Sequence, residues 1–140
     1  MTIAETIEEL AGMLAALPDW EDRYTEIIAM SRSLAPYPEE HRTEQFKVKG
    51  CQSQVWLHPR LENGVLWFDT DSDAVIVKGL AALLMKIYSG RSPVEIVACS
   101  IDVAERLSLQ QHLSPNRANG LASMIKQIRL YALAYSLMKP

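Results

Sequence analysis

The chain has 140 residues, of which 49% are hydrophobic, so it can form one domain whose core needs no disulfide or metal. Its 14 basic and 17 acidic residues give a formal net charge of -3, which argues against a nucleic-acid-binding protein. The N-terminus lacks the basic and apolar segments of a signal peptide, and the longest apolar stretch, 79–85, is too short to span a bilayer. We therefore expect one domain, residues 1–140, in the cytoplasm, with Cys51 and Cys99 reduced.

Two amphipathic helices are predicted at the N-terminus. Thr2 is a favourable N-cap, and apolar residues recur after it at helical spacing until Pro18 ends the first helix. Asp19 is expected to cap the second helix. The segment 35–50 contains two prolines and many polar residues without a sustained period, so we predict a loop with a helical turn near 39–42.

The clearest strand pattern follows this loop. Apolar and polar residues alternate over 54–61, and Asn63-Gly64 is typical of a two-residue type I′ turn because both residues tolerate positive φ. The segment 65–68 returns as the second strand. A third extended piece near 70–75 is expected to complete a small antiparallel sheet of about three strands.

The remainder of the chain is predicted to be helical. An apolar helix over 77–88 has Gly90 just past its end, and Ser92, Asp102 and Ser114 each precede a further helix start. The order is two helices, a hairpin-based sheet and several helices, with no βαβ alternation. This order indicates an α+β fold with a small antiparallel sheet flanked by helices.

Familiar catalytic and ligand-binding signatures are missing from the sequence. It contains no Gly-rich phosphate loop, HExxH, CxxC or GxSxG motif. The three histidines, His41, His58 and His112, have no ligand-like spacing, and we assign none of them to a metal. We expect neither a metal nor a cofactor of the protein's own.

Cys51 has a sequence context that favours reactivity. It follows Gly50, which permits backbone conformations closed to other residues, and Lys47 and Lys49 are expected to favour the thiolate. The alternative at this point is a buried structural cysteine, since free cysteines are often buried. Cys99 lies in an apolar run without glycine or lysine beside it, and packing explains it better.

Three blocks of the sequence, with the Trp20 region, resemble the SufE family of sulfur-acceptor proteins over essentially the whole chain. The seven residues 50–56, GCQSQVW, resemble the active-loop signature of that family. The blocks 71–80, DSDAVIVKGL, and 111–117, QHLSPNR, with Gly120-Leu121, match in the same order. The residues after Cys51 favour SufE over the related CsdE proteins.

The resemblance implies a fold shared with the IscU-type scaffolds and a function in sulfur transfer. Such proteins take persulfide sulfur from the pyridoxal-phosphate enzyme SufS, a cysteine desulfurase that they stimulate, and pass it to the SufBCD scaffold for iron–sulfur cluster assembly. The signature cysteine falls on Cys51, which would carry the persulfide. The protein would then be a carrier without an activity of its own. A homodimer is a further expectation, because members of the family often dimerise.

Other residues of the matching blocks have structural interpretations. Asp71 and Asp73 are expected to cap the helix after the sheet, and Gly79 to allow close packing against a neighbouring element. Ser114 is expected to open the last helix, with Arg117 packing or pairing near it.

Two other functions remain open on the residues alone. A hydrolase could use Cys51 as nucleophile with His58 or His112 as base, but such an enzyme needs an oriented base and an oxyanion hole, and the spacing indicates neither. The second alternative is a binding module in which Cys51 has no chemical role.

Overall fold

The computed structural model describes residues 1–138, which form six α-helices and one antiparallel hairpin. In chain order the elements are α1 (Ile3–Ala15), α2 (Trp20–Met30), β1 (Val55–Glu62), β2 (Val65–Ser72), α3 (Val75–Tyr88), α4 (Pro93–Ala98), α5 (Val103–Arg106) and α6 (Pro115–Ser136). The predicted α+β class is confirmed. No helix among the described residues has the length and apolarity needed to cross a membrane.

The two N-terminal helices begin at the predicted caps. The Thr2 hydroxyl accepts the Glu5 N–H at 3.0 Å, and the Glu5 carboxylate accepts the Thr2 N–H at 2.9 Å, which is a complete capping box. Asp19 accepts the Asp22 N–H at 2.9 Å in the same way. The predicted stripe on α1 is buried, since its members are at most 6% exposed: Ile3, Ile7, Leu10 and Leu14.

The hairpin has the predicted turn. Asn63 and Gly64 have φ values of 52° and 80°, as a type I′ turn requires, and they set a register that pairs Glu62 with Val65 and Val55 with Ser72. The loop 35–50 contains short 3₁₀ turns at Glu39–His41 and Glu44–Phe46, the first of them within the segment where a helical turn was expected.

The expected third strand near 70–75 is wrong. Residues up to Ser72 belong to β2, and the helix α3 begins at Val75, so no chain is left for another strand there. Within residues 1–138 the sheet has two strands, and single bridges flank it, Lys47 with Trp56 on one side and Leu66 with Arg91 on the other.

The helix α3 is the centre of the core. Leu80, Leu83, Leu84 and Ile87 are fully buried in it. It packs tightly on α2 at Gly79, where a Cβ atom would lie 2.7 Å from the Ile27 carbonyl oxygen. The close packing predicted for this glycine is therefore confirmed.

The last three helices cover the other side of α3. The predicted caps of α4, α5 and α6 all form, with Ser92, Asp102 and Ser114 accepting backbone N–H groups three residues ahead. The guanidinium of Arg129, on α6, donates to the Val97 carbonyl at 3.2 Å and also to the Cys99 carbonyl. These bonds join the end of α4 to α6, because they satisfy carbonyls that the short helix leaves free.

Candidate functional site

Cys51 rests against the backbone of α6. Its side chain is half-buried, and its thiol points to the Gly120 carbonyl oxygen, 3.7 Å from Sγ. A Cβ atom added at Gly120 would lie 3.7 Å from the same sulfur. The sulfur thus occupies the space beside a helix position that has no side chain.

Gly50 holds the thiol's loop close to the same helix. Its φ of 89° is in the left-handed region, and a Cβ atom there would lie 2.6 Å from the Ser123 hydroxyl. Any other residue at position 50 would be strained by the backbone angle and would also crowd Ser123. The predicted role of this glycine as a conformational requirement before Cys51 is therefore supported by two separate observations.

Asp73 fixes the other end of the loop. Its carboxylate accepts the Gln54 N–H at 3.0 Å, and its own N–H donates to the Gln54 carbonyl at 3.3 Å. The expectation that Asp73 caps the following helix is wrong, because the N-cap of α3 is Ala74, which makes no side-chain cap bond. Asp73 instead ties the residues after Cys51 to the end of β2.

Asp71 does not cap α3 either. Its carboxylate binds Arg42 at 2.9 Å and Lys78 at 3.3 Å, and so it links the loop before Cys51 to β2 and to α3. Burial favours a higher pKa for Asp71, but hydrogen bonds from Arg42, the Ser72 N–H and Lys78 outweigh it, and the pKa is lowered. The guanidinium of Arg42 also lies 4.8 Å from the centre of the Trp56 ring.

A cleft of about 550 Å³ opens beside Cys51. The loop after Cys51 forms one wall, and the first turns of α3 and α6 form the others. Arg117 and Asn116 contribute polar side chains, and Val75, which is 66% exposed, contributes an apolar one. Both cysteines are partly buried and pack against the core, but only Cys51 is among the residues that line this cleft. Arg117 was expected to pack or pair near Ser114. Among residues 1–138 its side chain forms no ion pair, and its backbone N–H bonds to the Ser114 hydroxyl at 3.4 Å.

The resting thiol is not activated by its lysines. Burial raises the pKa of Cys51, so the neutral thiol is favoured. Lys47 pairs instead with Glu44 at 2.7 Å and lies 5.8 Å from the centre of the Trp56 ring. The expectation that the two lysines favour the thiolate is therefore wrong for this resting position.

The histidines lie in aromatic stacks away from the cleft lining. His58 is 3.2 Å from the Asp69 carboxylate and stacks on His41 with 3.7 Å between ring centres. His112 stacks on Trp20 at 3.9 Å. None of them lines the cleft beside Cys51, so the described residues give the hydrolase interpretation no base there. No group of metal-ligating side chains is found in residues 1–138.

Two features were not predicted from the sequence: the contact of the Cys51 thiol with Gly120, and the ion pair of Arg42 with Asp71. A glycine inside a long helix was a usable signal, because glycine weakens helices and its presence needs a packing reason. Arg42 gave no signal of its contact with Asp71, because Asp71 is distant in the chain and the nearby Glu39 is an equally suitable partner, which Arg42 also binds, at 3.1 Å.

Comparisons with known proteins show the family of this chain and agree with its fold. The model of the family described as SufE, Fe-S metabolism associated domain, matches residues 8–132. Uncharacterized SufE-like proteins of Rhizobium meliloti (strain 1021) and Rhizobium etli are each 40% identical over 129 residues. Both alignments cover 89% of this chain, with 92% and 87% of the respective relatives. The solution structure of a hypothetical protein from Thermus thermophilus has the same fold, with a TM-score of 0.80, 20% identity and coverage of 95% and 97% of the two chains.

Proposed function

Because this chain belongs to the SufE family, we propose that it accepts a sulfur atom on Cys51 from a cysteine desulfurase of the SufS type, whose turnover it stimulates. It then passes the sulfur to the SufBCD scaffold in the cytoplasm. The observation that carries the proposal is the position of Cys51, whose thiol lines an open cleft while it rests half-buried against Gly120. The protein holds no cofactor of its own, and the pyridoxal phosphate belongs to the desulfurase.

The transfer is a thiol–persulfide exchange. Cys51 loses its proton and attacks the outer sulfur of the donor persulfide; a new S–S bond forms on Cys51 as the donor's S–S bond breaks. The donor cysteine leaves as a thiolate and takes up a proton. Sulfur moves without a net oxidant, and Cys51 ends as a persulfide. The raised pKa lowers the thiolate fraction of the resting thiol at neutral pH, so departure of Cys51 from its position at Gly120 should speed the attack.

The resting position protects the carrier between transfers. Exposed thiolates and persulfides are prone to oxidation, and a neutral, half-buried thiol is less so. The loop is fixed on either side of Cys51, by Gly50 against α6 and by Gln54 against Asp73. Release therefore needs only the short segment 51–53 between these two fixed points to move, and docking of the desulfurase would drive that movement.

The test is a mass measurement after incubation with desulfurase, cysteine and pyridoxal phosphate. We expect a gain of one sulfur atom on the wild type and on Cys99→Ser, and none on Cys51→Ser. A wild-type protein that gains no mass, or a Cys51→Ser variant that gains it equally, would contradict the proposal. Hydrolysis of an ester or amide without any desulfurase would instead support the hydrolase alternative. Sedimentation of the same samples tests the expected homodimer.

A further inference from the structure

A second concave surface lies on α6, away from the Cys51 cleft. It is a groove of about 860 Å³ between α6 and the segment from Val97 through α5. Its floor is apolar and includes Val103, Leu121 and Ile125. Ile101, Leu130 and Leu133 form its exposed walls and are respectively 37%, 48% and 44% exposed. Exposed apolar side chains that line one groove indicate a site of association.

The groove and the thiol lie on opposite sides of one helix. Cys51 and its loop contact α6 at Gly120 and Ser123, whereas positions 118, 122, 125 and 129 line the groove. With 3.6 residues per turn, these two sets are about half a turn apart around the helix axis. The groove lining also includes Asn119, next to Gly120, so the two sites adjoin near the start of α6. The part of the groove along Ile125 and Arg129 stays open when a partner covers the Cys51 cleft.

The dimensions fit a helix. The groove follows α6 from Ala118 to Leu133, which at 1.5 Å per residue is about 22 Å, or roughly four helical turns. An amphipathic helix binds such a groove by inserting the apolar side chains of one face.

The charged residues that line the groove indicate which charge the edge of the bound helix should carry. The last acidic residue of the chain is Glu105, and α6 contributes Lys126 and Arg129 to the groove. Among the described residues that line the groove, Asp102 is the one with a carboxylate; it is on the opposite wall and accepts the Glu105 N–H at 3.1 Å. The described α6 wall is therefore positive. Since Arg129 already donates to the Val97 and Cys99 carbonyls, the exposed Lys126 is the cation that would pair with acidic residues along the edge of a bound helix.

Tyr88 adds a polar anchor in the apolar floor. It is 1% exposed, lines the groove, and its hydroxyl forms no hydrogen bond within residues 1–138. Burial raises the pKa of Tyr88 to about 12, so the hydroxyl is a neutral donor at physiological pH. It can donate to a polar group at one end of the bound helix.

We infer that this groove binds an amphipathic helix with an acidic edge, supplied by the scaffold that receives the sulfur. The inference rests on the proposed function, because a carrier meets two partners in turn. Both partners must reach the half-buried Cys51 in turn, and the groove gives the receiver a second attachment that leaves the thiol accessible to the donor. The carrier can then remain attached to the scaffold while Cys51 is loaded.

The experiment compares binding to the purified SufBCD scaffold with loading by the desulfurase. Lys126→Glu and Leu130→Glu alter the groove, and Val94→Glu is the matched control, since Val94 is 65% exposed and does not line the groove. We expect the two groove variants to bind the scaffold about tenfold more weakly, or worse, and the control to bind like the wild type. All three should gain sulfur on Cys51 at the wild-type rate. Both substituted groove residues are exposed, so folding should be retained, which circular dichroism checks.

Three results would overturn the inference. They are unchanged scaffold affinity in both groove variants, loss of loading in parallel with affinity, and a change of oligomeric state that shows a second copy in the groove. Sulfur gain on Cys51 of the wild type is measured separately and tests the proposed function. The groove inference and the proposed function can therefore fail independently.

Discussion

At the scale of single residues, the Cys51 thiol is half-buried beside Gly120, and burial raises its pKa. A raised thiol pKa means less thiolate at pH 7, and thiolate is the species that alkylating reagents attack. We therefore predict that alkylation of Cys51 by iodoacetamide reaches half its maximal rate at a higher pH than alkylation of glutathione does. The measurement is made on the Cys99→Ser variant, so that Cys51 is the only thiol that can be alkylated. A midpoint at or below that of glutathione would show that the thiol is not sheltered.

Gly120 supplies the space in which the sulfur rests, so filling that space should expel it. In Gly120→Leu the side chain would occupy the position of Sγ, and the thiol would move into the solvent. Exposure removes the burial that raises the pKa of Cys51, so the pKa should fall, and both the thiolate fraction at pH 7 and the alkylation rate should rise above those of the wild type. Gly120→Ala is the control, because a Cβ atom 3.7 Å from the sulfur is an ordinary contact. Equal alkylation rates in Gly120→Leu and Gly120→Ala would show that the thiol does not rest in the space beside Gly120.

At the scale of secondary-structure elements, the contact between α2 and α3 depends on the absence of a side chain at Gly79. A Cβ atom there would lie 2.7 Å from the Ile27 carbonyl oxygen and 3.0 Å from Ile28 Cα, both of which are backbone atoms. The two helices would have to separate, so Gly79→Ala should lower the free energy of unfolding by about 1–3 kcal/mol. Urea denaturation measures the change.

Gly12 gives the matched control for that prediction. It lies inside α1, is exposed, and has no atom within 4 Å of an added Cβ. Gly12→Ala should therefore stabilise the protein by up to about 1 kcal/mol through helix propensity alone. Loss of stability in both variants would mean that the close contact at Gly79 is not the cause.

The elements that could be predicted are those defined by local chemistry. The Thr2 and Asp19 caps and the Asn63-Gly64 turn each depend on bonds or dihedral angles within a few residues, and all three are present. The role of Asp73 could not be predicted, because its carboxylate has a local helix start and a distant Gln54 N–H as competing partners, and the distant one is bound. The prediction of a third strand was wrong for a related reason: the pairing with β1, which is distant in the sequence, extends β2 to Ser72.

The candidate site shows the same division. Cys51 and Gly50 could be found from sequence, because a flexible residue beside a thiol is a local pattern. The protonation of Cys51 could not, because it depends on burial against α6, about 70 residues later in the chain, and the nearby Lys47 is paired with Glu44.

At the scale of the whole molecule, Asp71 joins three parts of the structure. Its carboxylate, 20% exposed, binds Arg42 from the loop before Cys51 and Lys78 from α3, while Asp71 itself belongs to β2. Although burial opposes ionisation, the hydrogen bonds lower the pKa of this group in the folded state. A lowered folded-state pKa contributes stability above the unfolded-state pKa, and that contribution is lost as the pH falls through the folded-state value.

Asp71→Asn should therefore lower the free energy of unfolding by about 1–2 kcal/mol at pH 7, because charge-assisted bonds to Arg42 and Lys78 are lost. The difference from wild type should shrink once the pH falls below about 4, the ordinary aspartate pKa, because the carboxylate of the unfolded wild type is then protonated first, and that of the folded protein only at lower pH. Urea denaturation between pH 3 and pH 7 measures it, with Glu44→Gln as control, because the exposed pair of Glu44 with Lys47 should contribute nothing measurable. A difference that stays constant across this pH range would show that Asp71 acts through packing and not through its charge.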